Sequence, residues 1–132
     1  MQSLEEYTSK AKNIDFRTEC WIDGRFVPSR SGETFSNINP ATGKKLCDVA
    51  KGNSSDIDAA VKAARTAFED GRWSGRTPSE RKEVILNLAR LIRENVTEMA
   101  LLDTLDMGKP ISETVNVDAP GSAFFFQWHA EA

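Results

Sequence analysis

Two cysteines, one histidine, a Gly-Lys pair and a few aspartates are the residues of this 132-residue chain from which chemistry could be built. A reactive thiolate needs a helix N-terminus or a cationic neighbour. Cys20 and Cys47 fall instead in short strand-like stretches and read as small buried hydrophobes. His129 follows Phe124-Phe125-Phe126 and has Glu131 as its sequence-local carboxylate, so a packing role is favoured over proton transfer. Gly108-Lys109 ends like a phosphate loop, but the upstream glycine of G-x-x-x-x-G-K is missing, and there is no G-x-G-x-x-G. Asp56 and Asp58 suit the positive end of a helix dipole. Asp106 sits in the last turn of a helix, where a carboxylate is unfavourable without a compensating cation or hydrogen bond. No nucleophile–base pair is visible, so a complete small enzyme is poorly supported and no catalytic or cofactor-binding residue is assigned.

The elements that must position these residues change character along the chain. Ser3 and Glu6 predict a capped helix over Ser3–Lys12. Cys20–Ile22 and Arg25–Val27 flank Asp23-Gly24, a hairpin signal. Thr34–Ile38 and Leu46–Ala50 read as further strands, separated by Asn39-Pro40 and a turn at Ala41-Thr42-Gly43. Ser55 is expected to cap a helix whose face carries Ile57, Val61, Ala64 and Phe68. Thr77-Pro78-Ser79-Glu80 starts another, with Val84, Ile85, Leu88, Leu91 and Ile92 on one side. Asn95 and Glu98 then predict a capping box for a helix with Met99, Leu101, Leu102 and Leu105 inward, ended by Gly108 and Pro110. A last helical stretch begins near Pro110, is interrupted at Asp118-Ala119-Pro120-Gly121, and resumes without a stop signal before Ala132.

Hydrophobic residues make up 39% of the chain and charged ones 28%, with a net charge of −3. There is no basic stripe for nucleic acid and no apolar run of membrane-spanning length. The acidic N-terminus lacks a signal-peptide core, and two cysteines make no disulfide framework. A cytoplasmic location with reduced thiols is expected.

The run Leu105-Asp106-Met107-Gly108-Lys109-Pro110 resembles the Leu-Asp-x-Gly-Lys-Pro segment of the aldehyde dehydrogenase superfamily. Other motifs follow in the family's order. They are Trp21-Ile22-Asp23-Gly24, Asn39-Pro40-Ala41-Thr42-Gly43, Asp56-Ile57-Asp58-Ala59-Ala60-Val61, Phe68 before Trp73, and Arg81 with the Leu88/Leu91/Ile92 helix. Asp118-Ala119-Pro120-Gly121 with Trp128 and Ala130-Glu131-Ala132 is most similar to the aminoaldehyde-oxidising branch, such as the γ-glutamyl-γ-aminobutyraldehyde dehydrogenases. The departures are Phe124–Phe126, usually less aromatic, and His129, where Tyr is common.

The resemblance implies an α/β parent that oxidises a small-molecule aldehyde with NAD or NADP. This chain alone would be mostly α-helical with a small antiparallel β-hairpin region near the N-terminus. Residues 1–132 would form the N-terminal part of the cofactor-binding domain, truncated before the dinucleotide-binding sheet and the catalytic residues, and inactive alone. The resemblance places a Na+ or K+ site at Asn37, Ile38 (by its carbonyl) and Asp106, and a substrate-tunnel wall at Val117, Gly121 and Trp128. The alternative is a truncated helical interaction module without catalysis. Three consecutive phenylalanines cannot share one helix face, so self-association through the aromatic C-terminal helix is expected.

Overall fold

The computed structural model describes residues 2–132. In chain order they form α1 (Leu4–Ala11), β1 (Cys20–Ile22), β2 (Arg25–Val27), β3 (Thr34–Ile38), β4 (Lys45–Ala50), α2 (Ser54–Glu69), α3 (Pro78–Glu94) and α4 (Val96–Met107). A single turn α5 (Ile111–Glu113), a π-helical turn (Thr114–Asp118) and α6 (Ala119–Glu131) follow. The described residues are mostly helical, with two antiparallel strand pairs, β1–β2 and β3–β4, as the sequence predicts. They divide into a strand unit, Phe16–Ile38 with Lys45–Thr77, and a helical unit. The latter comprises the described residues up to Asp15, Asn39–Lys44 and Pro78–Ala132.

In the strand unit, Asp23 and Gly24 take positive φ of 54° and 75°, the pairing a tight hairpin turn requires, and Ile22 then faces Arg25. Trp21 and Phe26 meet edge to face at 4.7 Å, and the Arg17 guanidinium lies 5.6 Å above Phe26. The β3–β4 register slips between Asn37 and Ile38, leaving Leu46 as an extra residue on β4. Asn53, not Ser55, caps α2. Its side-chain oxygen accepts from the Ser55 and Asp56 N–H groups, while Asp56 accepts from the Asn53 N–H. An Asn two residues earlier satisfies two orphan donors that a Ser at position 55 would leave open. The α2 stripe also differs from expectation. Ile57, Val61 and Phe68 are each about 60% exposed, and the half-buried residues are Ala59, Ala60, Ala63 and Ala67.

In the helical unit, α1 closes with the expected box, Ser3 N–H to Glu6 Oε2 at 2.7 Å and Glu6 N–H to Ser3 Oγ at 3.2 Å. Helix α3 begins at Pro78, directly after Thr77. Only Asn95 separates α3 from α4, and this removes the expected Asn95–Glu98 box. The Asn95 N–H still donates to Leu91 O, and its side-chain amide donates to the same carbonyl at 2.8 Å, so the oxygen makes no cap. The core is built from small residues. Ala89, Ala100 and Ala123 have no exposure and Ile92, Leu101 and Ala119 little, whereas Val84, Leu88, Leu91 and Met99 are exposed and Leu102 and Leu105 half-buried. Alanines at these positions let α6 lie close along α3. Among the described residues, no helix is long and apolar enough to cross a membrane.

Candidate functional site

The end of α4 is fixed by Gly108, whose φ of 75° places it in the left-handed region and whose N–H donates to Thr104 O. A Cβ built there would lie 2.9 Å from Pro40 Cγ, so Gly108 is required by conformation and by close approach. Asp106 is exposed in the last turn of α4. Lys109 does more than complement the helix end, because its Nζ lies 2.5 Å from Asp118 Oδ2. That carboxylate's hydrogen bond raises the Lys109 pKa above the ordinary lysine range.

Asp118 closes the π turn. The Ala119 N–H donates to Thr114 O, five residues back, before α6 proceeds. The sequence expectation of an interruption at Asp118–Gly121 is therefore corrected: the helix continues, with the irregularity upstream. Pro120 supplies the cause. Its missing N–H and its ring conflict with the carbonyl four residues earlier, and a wider turn relieves both. Thr114, at the start of the turn, is fully buried, with Oγ1 2.9 Å from Thr104 Oγ1 and 3.2 Å from Ile111 O.

The three expected wall residues lie on this segment. Val117 is in the π turn and 56% exposed, and Trp128 on α6 is 54% exposed. Gly121 has nothing within 4 Å of a built Cβ. Seven residues bring Gly121 and Trp128 to one side of α6, since side chains repeat about every 3.6 residues. Ala119 and Ala123 occupy the opposite, buried side. Phe124 and Phe125 flank the open side, 5.8 Å apart between ring centroids. Trp128 holds the exposed His129 edge-on at 4.9 Å, so His129 packs against a neighbour without entering the core.

The expected cation residues fall in separate units, Asn37 and Ile38 at the β3 bulge and Asp106 on α4. Their donors are an amide oxygen, a carbonyl and a carboxylate, a hard oxygen set that suits Na+ or K+ and not a soft metal. Among the described residues, no three His, Cys, Asp or Glu side chains cluster as a metal cage. Cys20 and Cys47 are free and half-buried in β1 and β4. The sequence contains neither G-x-G-x-x-G nor G-x-x-x-x-G-K.

Sequence reasoning missed three features. One is the buried Asp56 carboxylate, which accepts from Asn53 N–H at 2.9 Å and Arg30 N–H at 3.1 Å and lies 3.1 Å from the Ser29 hydroxyl. Those bonds, the Asn53 N–H first, hold its pKa below the usual carboxylate value. The others are the Lys109–Asp118 pair and the π turn. Pro120 inside a helical pattern was the available signal for the latter.

The model of the aldehyde dehydrogenase family matches residues 26–132. The aminoacetaldehyde dehydrogenase of Pseudomonas aeruginosa is 46% identical over 129 residues, which is 98% of this chain and 26% of that protein. Among solved structures, a γ-glutamyl-γ-aminobutyraldehyde dehydrogenase from Burkholderia cenocepacia superposes with a TM-score of 0.97 at 42% identity, over 99% of this chain and 27% of that one. A mutant of the P. syringae indole-3-acetaldehyde dehydrogenase AldA, in complex with NAD+ and IAA, gives 0.97 at 39% identity, over 100% of this chain and 27% of that one. With the family's pattern along most of its length and its fold throughout, though spanning only about a quarter of the proteins it matches, the chain belongs to the aldehyde dehydrogenase family.

Proposed function

We propose that this chain is the leading part of a cytoplasmic, NAD- or NADP-dependent enzyme that oxidises an aldehyde, specifically an aminoaldehyde, to its carboxylic acid. Residues 1–132 are the N-terminal portion of its cofactor-binding domain. They supply scaffold, a substrate wall and ligands for a monovalent cation, and are inactive alone. The observation that carries the reading is the open face of α6. Gly121 leaves space, Val117 and Trp128 are exposed, and the buried alanines lie on the other side. Apolar walls with few polar groups are the usual lining of a small-molecule site. The aminoacetaldehyde and γ-glutamyl-γ-aminobutyraldehyde dehydrogenases among the similar proteins support the amino-substituted substrate.

Asn37, Ile38 and Asp106 would hold the cation, which neutralises a carboxylate at the negative end of α4. In the full-length protein, Asp106→Ala should flatten the dependence of thermal stability on Na+ or K+; an unchanged ion response sinks this assignment. Substrate class is tested by comparing kcat/KM for aminoaldehydes with that for uncharged aldehydes of equal length. Preference for the uncharged series would refute the aminoaldehyde reading. A second reading, a helical interaction module that self-associates, rests on exposed Phe124, Phe125, Phe126 and Trp128. Concentration-dependent light scattering by the 132-residue chain, with dye binding, would support that surface as sticky. A compact monomer without dye binding would refute it.

A further inference from the structure

The π turn is tethered at both ends to the same place. Its first residue, Thr114, bonds Thr104 near the end of α4, and its last, Asp118, pairs with Lys109 just after the Gly108 cap. Pro120 explains why a wide turn occurs here, but not the angle at which α6 leaves it. Packing sets that angle coarsely. Ala123 is fully buried on α6, as is Ala89 on α3, so rotation by one residue, about 100°, would bring Ser122 or Phe124 to a place that holds a methyl group. Smaller rotations displace these methyl groups less, are opposed farther along α6 by the Arg93–Gln127 hydrogen bond to α3, and would turn the Gly121 and Trp128 side directly.

We propose that Lys109 and Asp118, bridging the π turn, are positioning residues that fix the rotation of α6 and thereby set which lengths of aldehyde fit along its Gly121 face. This rests on the aldehyde-oxidising reading above. Asp118 lies three residues before Gly121, at the edge of that face, and its pairing with Lys109 joins the segment after α4 to the start of α6. A short aldehyde would engage only part of the wall and tolerate a small rotation. A long one lies against more of α6 and feels the whole displacement. The pair is partly exposed, 39% for Lys109 and 35% for Asp118, so either residue can be changed without opening a cavity.

The test uses the full-length protein carrying this chain, with Asp118→Asn, Lys109→Met and the exchanged pair Lys109→Asp with Asp118→Lys. Each single variant should raise KM for long aldehydes about fivefold, with kcat and the KM for short aldehydes held within about twofold. The exchanged pair should restore the length profile. Hydrogen exchange of the Ala119 amide and the first turn of α6 should speed up in both single variants, a readout independent of turnover. An unchanged length profile, or equal losses at every length, would overturn the proposal. So would unaltered exchange. If the wild-type protein oxidises no aldehyde while exchange responds as described, the enzyme reading fails and the tether stands as a structural device only.

Discussion

Gly108 and Gly121 look alike in the sequence and differ in what surrounds them. Gly108 needs a positive φ and presses on Pro40, while Gly121 is helical with open space around it. Gly108→Ala should therefore cost about 1–2 kcal/mol, with more if Pro40 cannot shift, whereas Gly121→Ala should be neutral or stabilise by up to about 1 kcal/mol. Urea unfolding of the two variants checks this, and equal effects would refute it. Asp56 gives a prediction in pH. Its folded pKa is depressed, so the unfolded chain takes up protons first as pH falls. Its contribution is full above the unfolded value, about pH 4, and is lost as pH drops through the folded value. The stability gap between wild type and Asp56→Asn should be widest near neutrality and close in acid. A gap that widens in acid would contradict the hydrogen-bonded carboxylate. The Gly108 stop was legible because a glycine before Lys-Pro has one local reading. The Asp56 hub was not, because Ser29 and Arg30 lie far from it in sequence.

Among the elements, local chemistry that closes on itself was readable and chemistry that depends on a neighbour was not. The Asp23-Gly24 turn and the Ser3–Glu6 box need only adjacent residues, and both form. Asn53 and Asn95 differ because the second is still engaged by the preceding helix. Asn53→Ala should cost about 1 kcal/mol, the ordinary loss for a capping residue, and Asn95→Ala clearly less. Thermal midpoints of the two variants decide, and the reverse order would restore the cap at Asn95. Periodicity located every long helix and picked Ile92 and Leu101 correctly as core, but most of the other large residues it chose are exposed or half-buried. The largest apolar side chains of α2 and α6, and Val84, Leu88 and Leu91 of α3, are exposed, and alanines carry most of the close contacts. Hydrophobic spacing marks which face is apolar, not whether a partner within these residues covers it.

At the scale of the molecule, the α2 stripe and the aromatics of α6 leave more apolar surface uncovered than single scattered residues would. The relatives are about four times longer. The cation and wall assignments came from resemblance, because one sequence does not bring distant residues such as Asn37 and Asp106 together. The most direct measurement is NAD(P)H formation from an aminoaldehyde series, run in parallel on the 132-residue chain and on the full-length protein that carries it. The account predicts steady turnover by the longer protein and none by the 132 residues alone. Turnover by the short chain, abolished by changing Cys20 or Cys47, or none by the full-length protein, would contradict it.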